Sequence, residues 1–374
     1  MIVKETLYAL DDVTLIPEPC SKVRHRAKCN IFRNGDLPIF IAPMDSVVNI
    51  RNFHIYKDNN LIPILPRTEI IGDRWNYAIS NKWAAFSLEE FDKYFARNFD
   101  YKKGTNIKVL IDIANGHIEA LQDSIKKAKE LAKENEYTIE IMAGNVANPY
   151  TYVALAKAGA DYVRVSVGSG QCCITSSNTS VHYPMASLID NCASLKKLYD
   201  LKAKIIADGG ISSYSRAIKA LALGADYVMI GTTLAKCYES ASPFINVKTE
   251  KQDIIDGFNI SVLNDAIWNP ALTEEQKKEI IRKYRPTKLV YGMSTKRAQR
   301  KIALAQGIET PKLKTSEGIE REIPVEYTLH QWVENFSDYL RSAMSYCNKT
   351  EIEDFISNST LMLLSESAKN SINK

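Results

Sequence analysis

No apolar run in these 374 residues is long enough to cross a bilayer as a helix, so no membrane role is expected. Net charge is scarce as well. A formal +4 on a chain of this length is too small to point to nucleic acid or an anionic membrane surface. The seven cysteines include no CxxC pair and no regular spacing, which argues against a zinc ribbon or a disulfide framework. Free thiols in a reducing, cytoplasmic compartment are expected instead. The opening stretch, MIVKETLYALDDV, places acids inside its apolar run and does not read as a signal peptide. Internal repeats are lacking, and no linker divides the chain. What remains is ordinary for a soluble globular enzyme: 45% hydrophobic and 25% charged residues, enough for one large domain or two average ones.

After an irregular arm with Pro17, Pro19 and a basic patch from Lys22 to Lys28, a rhythm begins. Short apolar runs recur at Pro38–Ala42, Leu61–Leu65, Ala84–Leu88, Lys108–Ile113, Thr138–Ala143, Tyr162–Val167, Lys204–Ala207 and Tyr227–Ile230. They are apolar nearly throughout, which suits parallel strands covered on both faces. Segments between them carry helical spacing, most clearly Ile118–Lys133 and Ser213–Leu223. Eight such units over this length predict an α/β fold, a closed (β/α)8 TIM barrel. A doubly wound open sheet is the alternative, because periodicity does not reveal closure.

In a barrel the chemistry gathers where strands end and loops begin. Polar and glycine residues fall at those ends here: Met44-Asp45-Ser46, Arg67, Asp112 with Asn115 and Gly116, Gly144-Asn145, Asp208-Gly209-Gly210, and Gly231-Thr232-Thr233. The sixth run leads into Gly168–Thr175, GSGQCCIT, a glycine turn that presents a thiol at a strand end and suits covalent catalysis. The bland alternative is a turn followed by a small buried cysteine. Gly209, Gly210 and Gly231, with the hydroxyls of Ser212, Ser213 and Thr232, fit a phosphate cradle after the last two strands, or equally plain turn chemistry. An ionised Asp208 beside such a cradle suits a sugar diol.

Past Ile230 the pattern breaks. Residues 238–290 read as an insertion, with a charged helix at Thr273–Lys283. A flap-like segment, 291–325, carries Tyr291-Gly292-Met293-Ser294, a basic helix from Thr295 to Ala305, and Glu317-Gly318. Leu329–Tyr346 has helical spacing and is expected to close the barrel. The catalytic domain is thus placed at 1–350, with a tail at 351–374 whose final residues are expected to be disordered.

Taken together, these segments resemble the IMP dehydrogenase / GMP reductase family. The matches run in order through Asp11–Leu15 (DDVTL), Met44–Val47 (MDSV), Asp112–Gly116 (DIANG), Ile141–Val146 (IMAGNV), Gly168–Thr175, Ala207–Ile211 (ADGGI), Val228–Gly231, Tyr291–Ser294 (YGMS) and Glu317–Pro324. The resemblance implies a barrel that binds a purine mononucleotide, GMP or IMP, and a nicotinamide cofactor exchanging hydride at purine C2. Position by position, it implies Cys173 as nucleophile and Thr175 as the threonine that handles protons beside the adduct. It assigns Asp208 to the ribose, and Gly210, Ser213, Gly231 and Thr232 to the phosphate. Met44, Tyr291, Gly292 and Met293 fall on the base, and Asp112, Asn115 and Gly116 on the cofactor; Arg67 stands where relatives carry a His-Lys, and its guanidinium suits a cofactor phosphate or, equally, a solvated surface charge. Carbonyls of Gly168, Gly170 and Cys173 match a monovalent cation site, usually potassium. A homotetramer is implied as well.

Within the family, DIANG, IMAGNV and YGMS resemble GMP reductase, and the short gap between Leu65 and Ala84 leaves no room for a CBS-type regulatory insert. The implied reaction is NADPH-dependent deamination of GMP to IMP and ammonia. Several features depart from that pattern. Lys296 stands where reductases carry an acid, EGIEREIP resembles some dehydrogenases, and Leu65-Pro66-Arg67 replaces a His-Lys. A short NAD-dependent IMP dehydrogenase and a purine-nucleotide-binding pseudoenzyme are the alternatives.

Overall fold

The structure is a computed structural model that describes residues 5–97, 101–246, 263–265, 267, 269 and 271–372. A short strand β1 (Val13–Leu15) precedes the repeating units. The barrel strands follow in chain order: β2 (Ile39–Ile41), β3 (Ile62–Pro63), β4 (Ala84–Phe86), β5 (Asn106–Asp112), β6 (Thr138–Val146), β7 (Tyr162–Val165), β8 (Lys204–Asp208) and β9 (Tyr227–Ile230). All eight expected runs are strands, and all pair in parallel in the order β3-β2-β9-β8-β7-β6-β5-β4. The two edges meet through a parallel bridge between Leu65 and Ala84, where Leu65 N donates to Trp83 O and Ala85 N to Leu65 O. That bridge closes the sheet into the expected (β/α)8 barrel, rather than the open alternative.

Alternation along the strands sorts side chains between lumen and outer core. Phe40, Trp83, Tyr162 and Tyr227 fill the lumen near the strand starts, with ring centroids 5.1–5.9 Å apart and mostly edge-to-face. Ile64, Ala85, Leu110, Met142, Ile206 and Met229 pack above them. The lumen is therefore solid at its base, and any ligand space lies at the C-terminal ends of the strands.

The outer ring includes helices Ile71–Ile79, Leu88–Tyr94, Glu119–Glu134, Pro149–Ala158, Met185–Leu198 and Tyr214–Ala222. Each connection has local reasons to start or stop. Ser87 and Glu90 form a capping box, Asn148 caps a helix that begins with Pro149, and Gly159 ends it at φ +107°. A single helix, Ile71–Ile79, occupies the gap between β3 and β4. The last barrel helix is Leu329–Tyr346, whose Trp332 stacks on Phe336 and meets Tyr214. It closes the barrel as expected.

Residues 236–328 form an excursion between β9 and that helix. Its described part holds a three-stranded antiparallel sheet of β10 (Phe244–Asn246), β11 (Thr287–Tyr291) and β12 (Glu320–Pro324). Helices Glu274–Tyr284 and Lys296–Ala305 flank it, in register with the helical spacing of the sequence. Most of 247–270, within the expected insertion, lies outside the described residues. In the C-terminal segment, Ile352, Phe355 and Ile356 join the main core, and β13 (Leu361–Leu363) pairs antiparallel with β1. Against the disorder expected for the final residues, a helix runs over Glu366–Ile372, with Lys369 paired to Asp12 and Glu366; residues 373–374 are outside the described residues.

Candidate active site

A cavity of about 760 Å³ opens at the C-terminal ends of the strands. Its wall combines barrel loops with the excursion: Met44, Arg67, Asp112, Asn145, Arg164, Cys173, Thr175, Asp208, Gly210, Gly231, Thr232, Gly292, Met293 and Glu317 all face it. A larger depression of about 1030 Å³ lies at the other end of the barrel, beside Lys204 and Asp226 at the strand starts. There Asp226 already takes Lys196 at 2.6 Å, Arg33 at 3.2 Å and Ile205 N, so its charges are spent on holding the barrel base together.

The nucleophile loop follows β7. Cys173 is half-buried, and Cys172 is buried with its sulfur 4.0 Å from Thr232 Oγ1. Burial raises the Cys172 thiol above its ordinary range, which suits packing. Cys173 Sγ donates to Thr175 Oγ1 at 3.2 Å, and Thr175 Oγ1 donates to Glu317 Oε2 at 2.7 Å. A thiol, a hydroxyl and a carboxylate thus form one continuous proton path. The backbone sets it. Ile174 N donates to Glu317 O at 2.9 Å, Ile319 N to Cys172 O at 3.1 Å, and Cys173 bridges antiparallel to Gly318. Gly318 must be small there, because a Cβ would sit 3.0–3.1 Å from Ser294 Oγ, Thr295 Cγ2 and Cys172 O.

Sequence reasoning did not single out Glu317 as a site residue. Its signal was the Glu317-Gly318 pair inside a recognised segment, whose distance from Cys173 along the chain hid the contact. Lys296, at the position where an acid is expected, is exposed and does not line the cavity.

Opposite the thiol, Gly209 and Gly210 take φ +96° and +72°, and their would-be Cβ atoms would press on Gly170 N and Ser169 O at 3.1 and 3.3 Å. Gly231 leaves room for Met44, whose sulfur would otherwise meet a Cβ at 2.7 Å. Arg216 ties this loop down by donating to Gly210 O at 3.0 Å and to Ser212 Oγ at 2.9 Å, while Asp11 accepts from its Nε at 2.9 Å. The early DDVTL segment is thus a brace behind the glycine loop. Ser213 is exposed and caps helix Tyr214–Ala222 by accepting from Arg216 N, outside the cavity lining.

Asp208 Oδ2 accepts from Asn145 Nδ2 at 2.6 Å and from Arg164 Nη2 at 2.8 Å, whereas Oδ1 takes no hydrogen bond from any described residue. Asp112 lines the cavity, but Asn115 is exposed, with its side chain turned back to His117 N, and Gly116 is buried against the Asn145 backbone. Tyr291 is buried behind the wall, donating to Asp45 Oδ2 at 2.7 Å; Lys301 reaches the same oxygen at 2.7 Å. Burial and the Asp45 charge raise the Tyr291 hydroxyl above its usual range. Two buried polar atoms on the cavity wall, Arg67 Nε and Ser169 Oγ, have no hydrogen-bond partner. Gly168 O accepts from Ser176 Oγ and Gly170 O from Cys173 N, each carbonyl retaining a second lone pair. Among the described residues, no cluster of three or more His, Cys, Asp or Glu could hold a metal, and no helix is long and apolar enough to cross a membrane.

Comparison with known proteins agrees with this arrangement. Residues 92–262 match the IMP dehydrogenase / GMP reductase domain model. The inosine-5'-monophosphate dehydrogenase of Chlorobaculum parvum is 33% identical over 250 residues, 67% of this chain and 44% of that protein. GMP reductase 1 of Homo sapiens is 26% identical over 373 residues, 95% of this chain and 94% of the human protein. GMP reductase of Shewanella halifaxensis is 31% identical over 217 residues, 56% and 60% of the two chains. This chain thus spans less than half the length of the Chlorobaculum dehydrogenase but nearly all of the human reductase. A closed barrel, a thiol at the end of its sixth strand and these likenesses converge, and the chain belongs to the IMP dehydrogenase / GMP reductase family.

Proposed function

We propose that this protein is a GMP reductase that removes the 2-amino group of GMP as ammonia and leaves IMP, using NADPH, through a covalent bond between Cys173 Sγ and purine C2. The observation that carries the reading is the path from Cys173 through Thr175 to Glu317. As the thiol adds to C2, its proton passes to Thr175 and on to the Glu317 carboxylate, which leaves the sulfur as the reactive thiolate. The same path, run backwards, returns a proton to the departing amine. Glu317 thereby supplies the acid that Lys296 does not.

Gly209, Gly210, Gly231 and Thr232 would cradle the nucleotide phosphate, with Ser169 Oγ as an additional donor awaiting an acceptor. Asp208 Oδ1 is open to accept from the ribose hydroxyls. Met44 and Met293 supply soft apolar surface for the base. A nicotinamide dinucleotide would take the remaining space, where Arg67 Nε is an unpartnered donor and Ile302, Ala303, Ile308 and Leu313 of the flap supply apolar wall. Bound there, the cofactor would supply the hydride to C2, and the C–S bond would break to release Cys173 as thiolate. The open lone pairs on Gly168 and Gly170 are compatible with a potassium ion. The length match to the human reductase supports reduction over dehydrogenation.

The second reading, a short IMP dehydrogenase, draws on the same carboxylate, because Glu317 could take a proton from water instead of giving one to an amine. Absorbance at the nicotinamide band separates the two. Loss of signal with GMP plus NADPH, with ammonia released, is expected; a gain with IMP plus NAD⁺ would favour the dehydrogenase. Silence in both, with nucleotide still bound, would overturn catalysis altogether. The family resemblance also supports a homotetramer, and a light-scattering mass near the 42.1 kDa of one chain would refute it.

A further inference from the structure

Arg164 has no role in the reading above, yet it is the buried cation of the cavity floor, 7% exposed. Strand alternation explains its place. Asp112, Gly144 and Arg164 are Cα partners across β5, β6 and β7, so their Cβ directions share the lumen side. Gly144 separates the other two and carries no side chain. A Cβ there would sit 2.5 Å from Arg164 O and 2.9 Å from Arg164 Cβ. The gap lets the guanidinium reach back over β6. Arg164 Nη1 donates to Asp112 Oδ1 at 2.8 Å, while Nε and Nη2 donate to Asp208 Oδ2 at 3.0 and 2.8 Å. One rigid fork therefore clamps two carboxylates from strands on either side of its own. Each carboxylate keeps its second oxygen clear of Arg164.

We infer that Arg164 is a positioning residue that couples the nucleotide half of the cavity, through Asp208, to the cofactor half, through Asp112. This rests on the assignment of those two halves in the proposed function. A ligand that draws Asp208 forward pulls on a guanidinium whose other end holds Asp112, and the reverse holds by linkage. A planar fork can serve both carboxylates at once. A lysine ammonium in its place is a point charge on a flexible stem and would favour one carboxylate over the other.

The test uses the full chain with GMP and NADP⁺, a pair that cannot react. Dissociation constants for each ligand are measured alone and with the other saturating, by calorimetry, for the unmodified protein, Arg164→Lys and Arg164→Met. In the unmodified protein each ligand is expected to tighten the other by roughly tenfold, within the ordinary range of coupling. Arg164→Lys is expected to keep GMP binding within about threefold while the mutual tightening falls toward onefold. Arg164→Met is expected to lose both. Coupling that persists undiminished in Arg164→Lys, or coupling absent from the unmodified protein while both ligands bind, would overturn the inference. Failure of the unmodified protein to bind GMP at all would instead overturn the functional reading and this inference with it. Matching thermal melts of Arg164→Lys and the unmodified protein would attribute lost coupling to the fork rather than to unfolding.

Discussion

A single thiol carries the proposed chemistry, and its surroundings say how. Cys173 and Cys172 are neighbours with opposite fates, because Cys172 sits in the turn that Cys173 N closes onto Gly170 O, whereas Cys173 begins the bridge to Gly318. Cys173 points to Thr175 and the cavity; Cys172 points into the packing by Thr232. Cys173→Ala is expected to abolish turnover, below about one part in a thousand of the original rate, while GMP binding measured by calorimetry persists. Glu317→Gln keeps an oxygen for Thr175 but cannot take its proton. A fall in kcat of roughly 10² to 10⁴ is expected, with KM for GMP changed by less than about threefold, in steady-state assays. Unchanged kcat in Glu317→Gln would remove the proton path from the mechanism. At this scale the sequence was legible where chemistry and loop position coincide, as for Cys173, Thr175 and Asp208. Asn145 was legible as a strand-end residue but not as the partner of Asp208, and Glu317 and Arg164 were not legible, because their roles come from cross-chain geometry rather than from any local pattern. Ser213 shows the converse, a hydroxyl in the right neighbourhood that the helix end uses as its cap.

Elements are tied to one another by a few buried charges. Arg74, fully buried on helix Ile71–Ile79, forks onto Glu90 of helix Leu88–Tyr94 at 2.8 and 2.9 Å. Glu90 also accepts from Ser87 N at 2.8 Å and from Gln306 Nε2 at 2.9 Å, at the end of the flap helix. Burial would raise its carboxyl, but the hydrogen bonds and charge of Arg74 override that and hold it down to about 2. The unfolded chain would bind that proton near pH 4.3, so the stabilisation, about 3 kcal/mol, is complete above that pH and is lost as pH falls toward about 2. Glu90→Gln is expected to flatten this part of the stability curve in urea titrations taken between about pH 5 and 3. An unchanged curve would show that Glu90 is not held this way. Lys288, at 0% exposure on β11, donates to Tyr238 O at 2.7 Å, to Ser240 O at 2.8 Å and to Ser240 Oγ at 3.0 Å. Burial pushes its amine down to about 7, against the pull of Glu239. Lys288→Met strands those oxygens away from water and is expected to cost about 3 kcal/mol in the same titration. The helices and strands themselves were legible because apolar runs and helical spacing are local properties. These ties were not, since nothing in the order of residues states that position 74 meets position 90 or that 288 meets 240.

For the molecule as a whole, closure was the step that the sequence left open. Eight apolar runs predicted the barrel without excluding an open sheet, and the bridge between Leu65 and Ala84 decides between them. The excursion of residues 236–328 was legible as a break in the rhythm, but not as a wall of the cavity. Its importance lies in the short ladder that joins Cys172–Ile174 to Glu317–Ile319. Only two backbone hydrogen bonds hold that seam, and the flap supplies both the carboxylate and part of the enclosure. The thiol comes from the barrel and the carboxylate from the excursion, so a ligand that parted this seam would also separate the proton donor from its acceptor. Alkylation of Cys173 by iodoacetamide should accordingly be faster in the unmodified protein than in Glu317→Gln, and equal rates would show that the carboxylate does not act on the sulfur.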